Sequence, residues 1–497
     1  MKRIITALVA GLISASAIFA QSQNFQIGQW MEIQNYILKS LNSSYVDTLP
    51  IAKMQKAAID AMLKELDPYT IYVPEDEVED FSLRMMGVYG GIGAVIFKEE
   101  GKNVVLNEPY AGSPCVKAGL ESGDEIMLID GTDVKPLDTK TCSDMMKGQA
   151  GTTVNFLVKK VHSGDTLSVD IKREIIHLSD VEYAGMLDSK TGYILQTGFT
   201  EGVGETIHQK VKELKAKGME KLVLDLRGNG GGLMSEAVEI VSIFVPKGSL
   251  VVTAKGRNDE IRDVYKTTKA PLDEKLPLVV LVDGGSASAS EIVSGALQDL
   301  DRATIMGQRT FGKGLVQSIK PLPYGGQLKL TVAHYYTPSG RCVQAIDYFH
   351  RNKDGEAQYI PDSLTHEFRT AKGRIVRDGG GITPDVTLEI PKYDDIVYSL
   401  VLGGVVGQYA LKYKTEHEKV APVETFEFTD FDDFREYAKT FLKDEAQGQL
   451  DSLKNEQIKP FIEEEIMVRY YYQEAGVQLR LRYDEMLKEA LTKELAV

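Results

Sequence analysis

The residues best able to do covalent chemistry sit in two glycine-rich turns. The first is Asp225-Leu226-Arg227-Gly228-Asn229-Gly230-Gly231-Gly232. It follows an apolar run, Lys221 to Leu226, that reads as a strand, and it precedes Leu233 to Phe244, which reads as a helix. Glycines in that position let backbone N–H groups face open space at the positive end of a helix, which suits a phosphate or a developing oxyanion. The turn has neither the Lys-Ser/Thr ending of a P-loop nor GxGxxG spacing, so a nucleotide is the weaker of the two ligands. Standing alone, it would be a tight strand-to-helix connection.

The second turn is Asp283-Gly284-Gly285-Ser286-Ala287-Ser288-Ala289-Ser290-Glu291, between a buried strand at Leu276 to Val282 and a helix at Ser290 to Leu300. A serine on a sharp turn after such a strand is presented at the carboxyl edge of the sheet, where open α/β folds build their sites. Helix capping competes with that reading, because Ser288-x-x-Glu291 is a capping-box pattern. A serine hydroxyl is a weak nucleophile and needs a base. The seven histidines (His162, His177, His208, His334, His350, His366, His417) are scattered, and His334 falls in an alternating stretch that reads as a strand. Lys313 in Thr310-Phe311-Gly312-Lys313-Gly314-Leu315-Val316-Gln317 is the better base, because apolar neighbours would desolvate it and favour the neutral amine. If that segment is a strand, residues 313, 315 and 317 share a face, and Gln317 can orient the amine. Taken singly, Lys313 would be an exposed lysine on a turn.

These residues need a scaffold, and the chain is long enough for several packed units at 497 residues. From Tyr183 onward short apolar strands alternate with helical stretches, which implies an α/β layer with a largely parallel sheet over 179–394. Before it, 85–178 is rich in glycine and β-branched residues and reads as a mostly-β module; Leu167, Val169 and Ile171 alternate with Ser168, Asp170 and Lys172. Trp30, Ile33, Ile37 and Leu41, then Ile51, Met54, Ala58 and Met62, recur at helical spacing, which makes 24–84 a helical region. The last part, 395–497, is charged and helical, with Ile458, Phe461, Ile462 and Ile466 forming one apolar stripe. At the amino end Lys2 and Arg3 precede an apolar run from Ile4 to Phe19, the layout of a signal peptide over 1–20. The run is shorter than the roughly 20 residues that span a bilayer.

Composition narrows the partners. With 57 Lys+Arg against 72 Asp+Glu the net charge is −15, the wrong sign for gripping a phosphate backbone, so nucleic acid is excluded. Three cysteines, Cys115, Cys142 and Cys342, are too few for a disulfide framework and lack zinc-ligand spacing, so no structural metal is expected. A Cys115–Cys142 bridge is left open by the sequence.

In combination, the two turns, Leu297-Gln298-Asp299, Phe311-Gly312-Lys313-Gly314 and Tyr336-Thr337-Pro338-Ser339-Gly340-Arg341 resemble the carboxyl-terminal processing peptidases, S41-type serine proteases with a Ser/Lys dyad. In that family the middle serine of the Ser-Ala-Ser-Ala-Ser run is the nucleophile and the base is the lysine 25 positions later, which selects Ser288 and Lys313; Gln317 matches an assisting glutamine, and Ser286 and Ser290 become structural. The resemblance covers about 50–392 and extends to the 85–178 module, which looks like a PDZ domain. Tyr89-Gly90-Gly91-Ile92-Gly93 would be its carboxylate loop.

The resemblance implies a multidomain, mixed α/β protease core with an inserted PDZ domain and helical terminal regions. It implies an exported endopeptidase, periplasmic or extracellular, with membrane association left open and no cofactor. Protein carboxyl ends would bind at Gly90, Gly91, Ile92 and Gly93. Backbone N–H groups of Ala289, Gly228, Gly230 and Gly231 would meet the oxyanion. The competing functions are a catalytically idle PDZ scaffold and an apolar-ligand carrier, both disfavoured because Ser288 and Lys313 are present. The helical termini are candidates for pairing two copies. Two stretches depart from the family pattern: residues 343–379, which separate Pro338-Ser339-Gly340-Arg341 from Gly381-Ile382-Thr383-Pro384-Asp385-Val386, and the helical tail.

Overall fold

The computed structural model describes residues 23–442 and 448–493. The signal-peptide expectation for 1–20 falls outside them. The chain divides into a unit ending at Glu65 and a second unit starting at Leu66. In the first, the expected helices run Gln23–Ser44 and Ile51–Lys64. The stripe residues Trp30, Ile33 and Ile37 are exposed.

In the second unit six strands form one sheet in the order Val181–Met186, Thr191–Gln196, Lys221–Asp225, Leu278–Val282, Thr304–Gly307 and Val386–Thr387, parallel throughout except for the first pair. Strands buried on both faces read as unbroken apolar runs, and all five residues of Leu278–Val282 are buried. Because side chains alternate, each strand serves two cores. Leu222, Leu224, Leu278, Val280 and Val282 pack with the helices Val203–Ala216, Met234–Ser242 and Ala289–Asp299. Val223, Val279 and Leu281 pack on the opposite face with Val477, Met486, Leu487 and Ala490. The charged helical tail is thus the sheet's second layer, through the helices Asn455–Tyr483 and Glu485–Thr492. Arg227 fixes it there, bridging Asp225 at 2.5 Å and Asp484 at 2.5 Å.

A second, antiparallel sheet joins Ile71–Val73, Gln327–Tyr336, Leu250–Lys255 and Ile261–Lys266, with Leu315–Pro321 also paired to Gln327–Tyr336. One of its strands falls inside the region 24–84 that the sequence reads as helical. Ile71–Val73 is a strand, and three residues between helices are too few for a period-two pattern to register. The mostly-β module runs from Val88–Gly91 to Glu174–His177, which pair with each other at its base. Its six-stranded sheet runs Ala94–Lys98, Val104–Pro109, Glu125–Ile129, Thr153–Lys159, Thr166–Lys172, with Thr132–Asp133 also paired to Glu125–Ile129 and the helix Thr139–Met146 alongside. Cys115 and Cys142 are buried there as free thiols.

The 343–379 segment is anchored to the core by Arg341, a guanidinium only 1% exposed. It donates to Gln298 Oε1 at 2.7 Å, Asp299 Oδ1 at 2.9 Å and the carbonyl of Arg377 at 3.2 Å. Asp299 also accepts from the backbone of Ser339 at 3.0 Å and from the Thr337 hydroxyl. Breaking a buried ion pair from one side strands the other charge. Arg341→Met is therefore expected to destabilise the core by about 3–5 kcal/mol, read as a lowered unfolding midpoint in urea.

Candidate active site

Both glycine-rich turns lie at the carboxyl ends of neighbouring parallel strands, and hydrogen bonds stitch them together. Ser286 Oγ donates to the carbonyl of Leu226 at 2.8 Å, Ser290 Oγ to that of Asn229 at 2.8 Å, and the N–H of Ala287 to the same Asn229 carbonyl at 3.0 Å. The Gly228 N–H donates to Asp283 Oδ1 at 2.8 Å, and that of Gly231 to Asn229 Oδ1 at 2.9 Å. Ser286 and Ser290 are fully buried in these contacts. Gly231 has φ +94°, and a Cβ there would lie 2.8 Å from Ser288 Cβ, so only glycine allows the turns to approach this closely.

Ser288 stands at the N-terminus of the helix Ala289–Asp299 with φ 56° and ψ −111°. A non-glycine residue in that region holds strain of about 1–3 kcal/mol and persists only where its surroundings over-determine it. Here they do. Its N–H donates to Glu291 Oε2 at 2.9 Å, and its carbonyl accepts from the Tyr335 hydroxyl at 3.2 Å.

Glu291 is fully buried, and its two oxygens accept four hydrogen bonds: from the Ser288 N–H, the Lys313 N–H at 2.8 Å, the Gly312 N–H at 2.7 Å and the Thr310 hydroxyl at 2.6 Å. Burial pushes its pKa above the ordinary carboxylate range, and the donors oppose that shift. One carboxylate thereby ties the backbone of Ser288 to that of Lys313.

Ser288, Lys313 and Gln317 line one cleft of about 440 Å³ with Gly230, Gly231, Met85, Lys329 and Tyr335. No histidine lines it; His334 lies in the strand Gln327–Tyr336 and borders a different cavity. Burial, and secondarily the charge of Lys329, lowers the Lys313 pKa to about 8. The strand begins at Leu315, after Lys313, and shifts register between Val316 and Gln317, yet Lys313, Leu315 and Gln317 all reach the cleft. Gln317 Nε2 donates to Thr331 Oγ1 at 3.2 Å, and Lys313 Nζ sits 4.1 Å from the ring centroid of Tyr69.

Of the backbone donors expected from the sequence, those of Gly228 and Gly231 are used within the turns, whereas Gly230 and Ala289 have no hydrogen-bond acceptor for theirs among the described residues. Residues the sequence did not bring forward are Glu291 as the joint between the two loops and Tyr69 beside the amine. Glu291 was visible only as the last residue of a capping box, three positions after Ser288, and Tyr69 in Asp67-Pro68-Tyr69-Thr70 gave no signal.

The sequence matches peptidase family S41 over residues 190–348, a PDZ domain over 90–172, and the C-terminal helical domain of probable PDZ-proteases over 439–493. A carboxy-terminal-processing protease of Bartonella bacilliformis is 32% identical over 84% of this chain and 90% of its own length. A probable CtpA-like serine protease of Staphylococcus aureus is 34% identical over 73% of this chain and 66% of its own length. The solved photosystem II D1 C-terminal processing protease is 28% identical, covering 71% of this chain and 86% of its own, with a TM-score of 0.39.

Glu291→Gln would turn an amide NH₂ toward N–H donors and break the joint between the loops. Bonds to a charged acceptor are worth about 1.5–3 kcal/mol, so the amides of Gly312 and Lys313 are expected to exchange hydrogen roughly tenfold faster or more in the folded protein, measured by mass spectrometry.

Proposed function

The chain belongs to the carboxy-terminal-processing proteases of peptidase family S41, and from that premise we propose that it is an exported endopeptidase that recognises protein carboxyl ends through its PDZ domain and cleaves with Ser288 and Lys313. The observation that carries this reading is the shared cleft: a strained serine and a desolvated lysine of low pKa, tied through one carboxylate. Ser288 Oγ attacks the scissile carbonyl while the neutral amine of Lys313 takes its proton, and the ammonium so formed protonates the leaving amine. Water then hydrolyses the acyl-enzyme, with Lys313 again as base. The free N–H groups of Ala289 and Gly230 are the donors best placed for the oxyanion, and Gln317 supports the orientation of the amine. Export rests on the charged and apolar pattern of 1–20. No helix among the described residues is long and apolar enough to cross a membrane.

Carboxyl-end recognition draws support from two features of the PDZ domain. Among the described residues the strand Ala94–Lys98 pairs on one side only, with Val104–Pro109, so its other edge can accept a peptide strand. Just before it, the N–H groups of Ile92 and Gly93 have no hydrogen-bond partner among the described residues, and they can meet a terminal carboxylate. Gly90 and Gly91 lie in the paired strand that carries this loop.

Ser288→Ala and Lys313→Ala are expected each to abolish cleavage of an unstructured protein without unfolding the enzyme, with Gln317→Ala milder. Retained activity in Lys313→Ala alongside loss in a histidine variant would overturn the dyad. Because the base must be neutral, kcat/KM rises with pH through about 8. Lys329→Met removes a like charge that favours the neutral amine, so the pKa rises and the ascending limb moves up by roughly half a unit. For the PDZ domain, amidating a substrate's carboxyl terminus is expected to slow cleavage roughly tenfold or more, against little effect of acetylating its amino end. Equal rates for the free and amidated substrates would remove the PDZ domain from carboxyl-end recognition.

A further inference from the structure

The amine of Lys313 meets a group that a serine–lysine pair does not call for. Among the described residues no hydrogen bond joins Nζ to Ser288; the nitrogen lies 4.1 Å from the ring centroid of Tyr69. The ring is held firmly. Tyr69 Oη lies 3.3 Å from Tyr348 Oη, and the two rings meet edge to face with centroids 6.0 Å apart at 88°. The buried carboxylate of Asp67 accepts from the backbone of Tyr69 and of Thr70, each at 2.8 Å, and from the Thr70 hydroxyl at 3.0 Å. Thr70 Oγ1 accepts in turn from the N–H of Thr331, the residue that also holds Gln317.

Tyr348 belongs to the 343–379 segment, whose first residues also clamp the loop carrying Lys313. The Ala345 N–H donates to the carbonyl of Gly312 at 2.9 Å, and the Gly314 N–H donates to Gln344 Oε1 at 2.7 Å. The other charged groups acting on the amine come from three elements: Lys329 from the strand Gln327–Tyr336, Glu291 from the helix Ala289–Asp299, and Asp67 from the turn before Tyr69.

An aromatic face attracts a cation through its quadrupole and has little hold on a neutral amine. We propose that Tyr69 is a positioning residue for Lys313: its ring seats the ammonium form, and Tyr348, supplied by the 343–379 segment, keeps that ring in place. Losing the proton releases the amine from the seat, free to turn toward Ser288 across the same cleft. Taking the serine proton makes it an ammonium again, which passes that proton to the leaving amine; when the amine next takes a proton from solvent, the charge returns it to the ring. Resting and working positions of the lysine are thus distinguished by its charge. This rests on the reading of Lys313 as the base, and it gives the 343–379 segment a role in the chemistry.

The test is the titration of Lys313 itself, followed by carbon NMR of its ε-carbon in the full chain carrying Ser288→Ala to prevent self-digestion, with the resonance assigned by Lys313→Arg. Tyr69→Phe is the reference, compared with phenylalanine analogues at position 69 carrying increasing numbers of ring fluorines, which weaken the quadrupole at nearly constant shape. Each added fluorine is expected to lower the Lys313 pKa, reaching a total shift of roughly half a unit to one unit. A purely packing role would leave the titration in place, and an unchanged or raised pKa across the series overturns the proposal. Tyr348→Ala is expected to shift the pKa in the same direction by less, and no shift there removes Tyr348 from it. Cleavage by Lys313→Ala, assayed in parallel, would overturn the base assignment and leave the measured effect of the ring standing.

Discussion

The arrangement of this site depends on one buried carboxylate. Glu291 sits in the first turn of a fully buried helix and accepts four donors from two loops far apart in sequence. Removing an ion from water is expensive unless every lone pair is used, and here all four are, so the loops are held to each other by the same bonds that keep the charge tolerable. Ser288 can then keep a positive φ that an unconstrained serine would leave. Lys313 can remain in an apolar pocket because its backbone is fixed independently of its amine.

The sheet explains why such a joint can be built there. Parallel strands end on one edge, and the turns after Lys221–Asp225 and Leu278–Val282 are neighbours because those strands are neighbours. Small residues of the second turn and a glycine of the first then let them meet: Gly231 against Ser288, the Ser286 hydroxyl on the carbonyl of Leu226, and the Ser290 hydroxyl on that of Asn229. The opposite face of the same strands is covered by the carboxyl-terminal helices, with Arg227 reaching from the first turn to Asp484. The tail is therefore a load on the sheet's second face and part of the setting of the first turn.

Opposing influences meet at the amine. Burial and Lys329 favour the neutral form, while Glu291 and Asp67 favour the ammonium, and burial dominates, giving a group that changes charge near pH 8. A lysine poised this way is available as a base at mildly alkaline pH, and its surroundings can distinguish its two charge states.

How much of this was legible in the sequence follows the range of the interactions. Apolar strand runs, helical periodicity and glycine-rich turns are local, so the α/β order, the β module and the two turns could be read directly, and the ordered motifs pointed to Ser288 and Lys313. Ile71–Val73 could not be read as a strand, because its partner Gln327–Tyr336 lies more than 250 residues away and three residues carry no period. The tail gave its own apolar stripe but not its place on the sheet, which is decided by the alternation of side chains on strands it follows by some 200 residues. Glu291 looked like a cap because its nearest donor is three residues away; its other three arrive from a loop that only folding brings close. Tyr69, which lies beside the amine, and Tyr348 are 279 positions apart and meet solely in three dimensions. The sequence by itself determined which groups could react and on which kinds of turn they stand. The tertiary structure alone decided what holds them, because the charge, burial and aromatic contacts that set a pKa or enforce a strained backbone come from residues with no fixed spacing to the groups they act on.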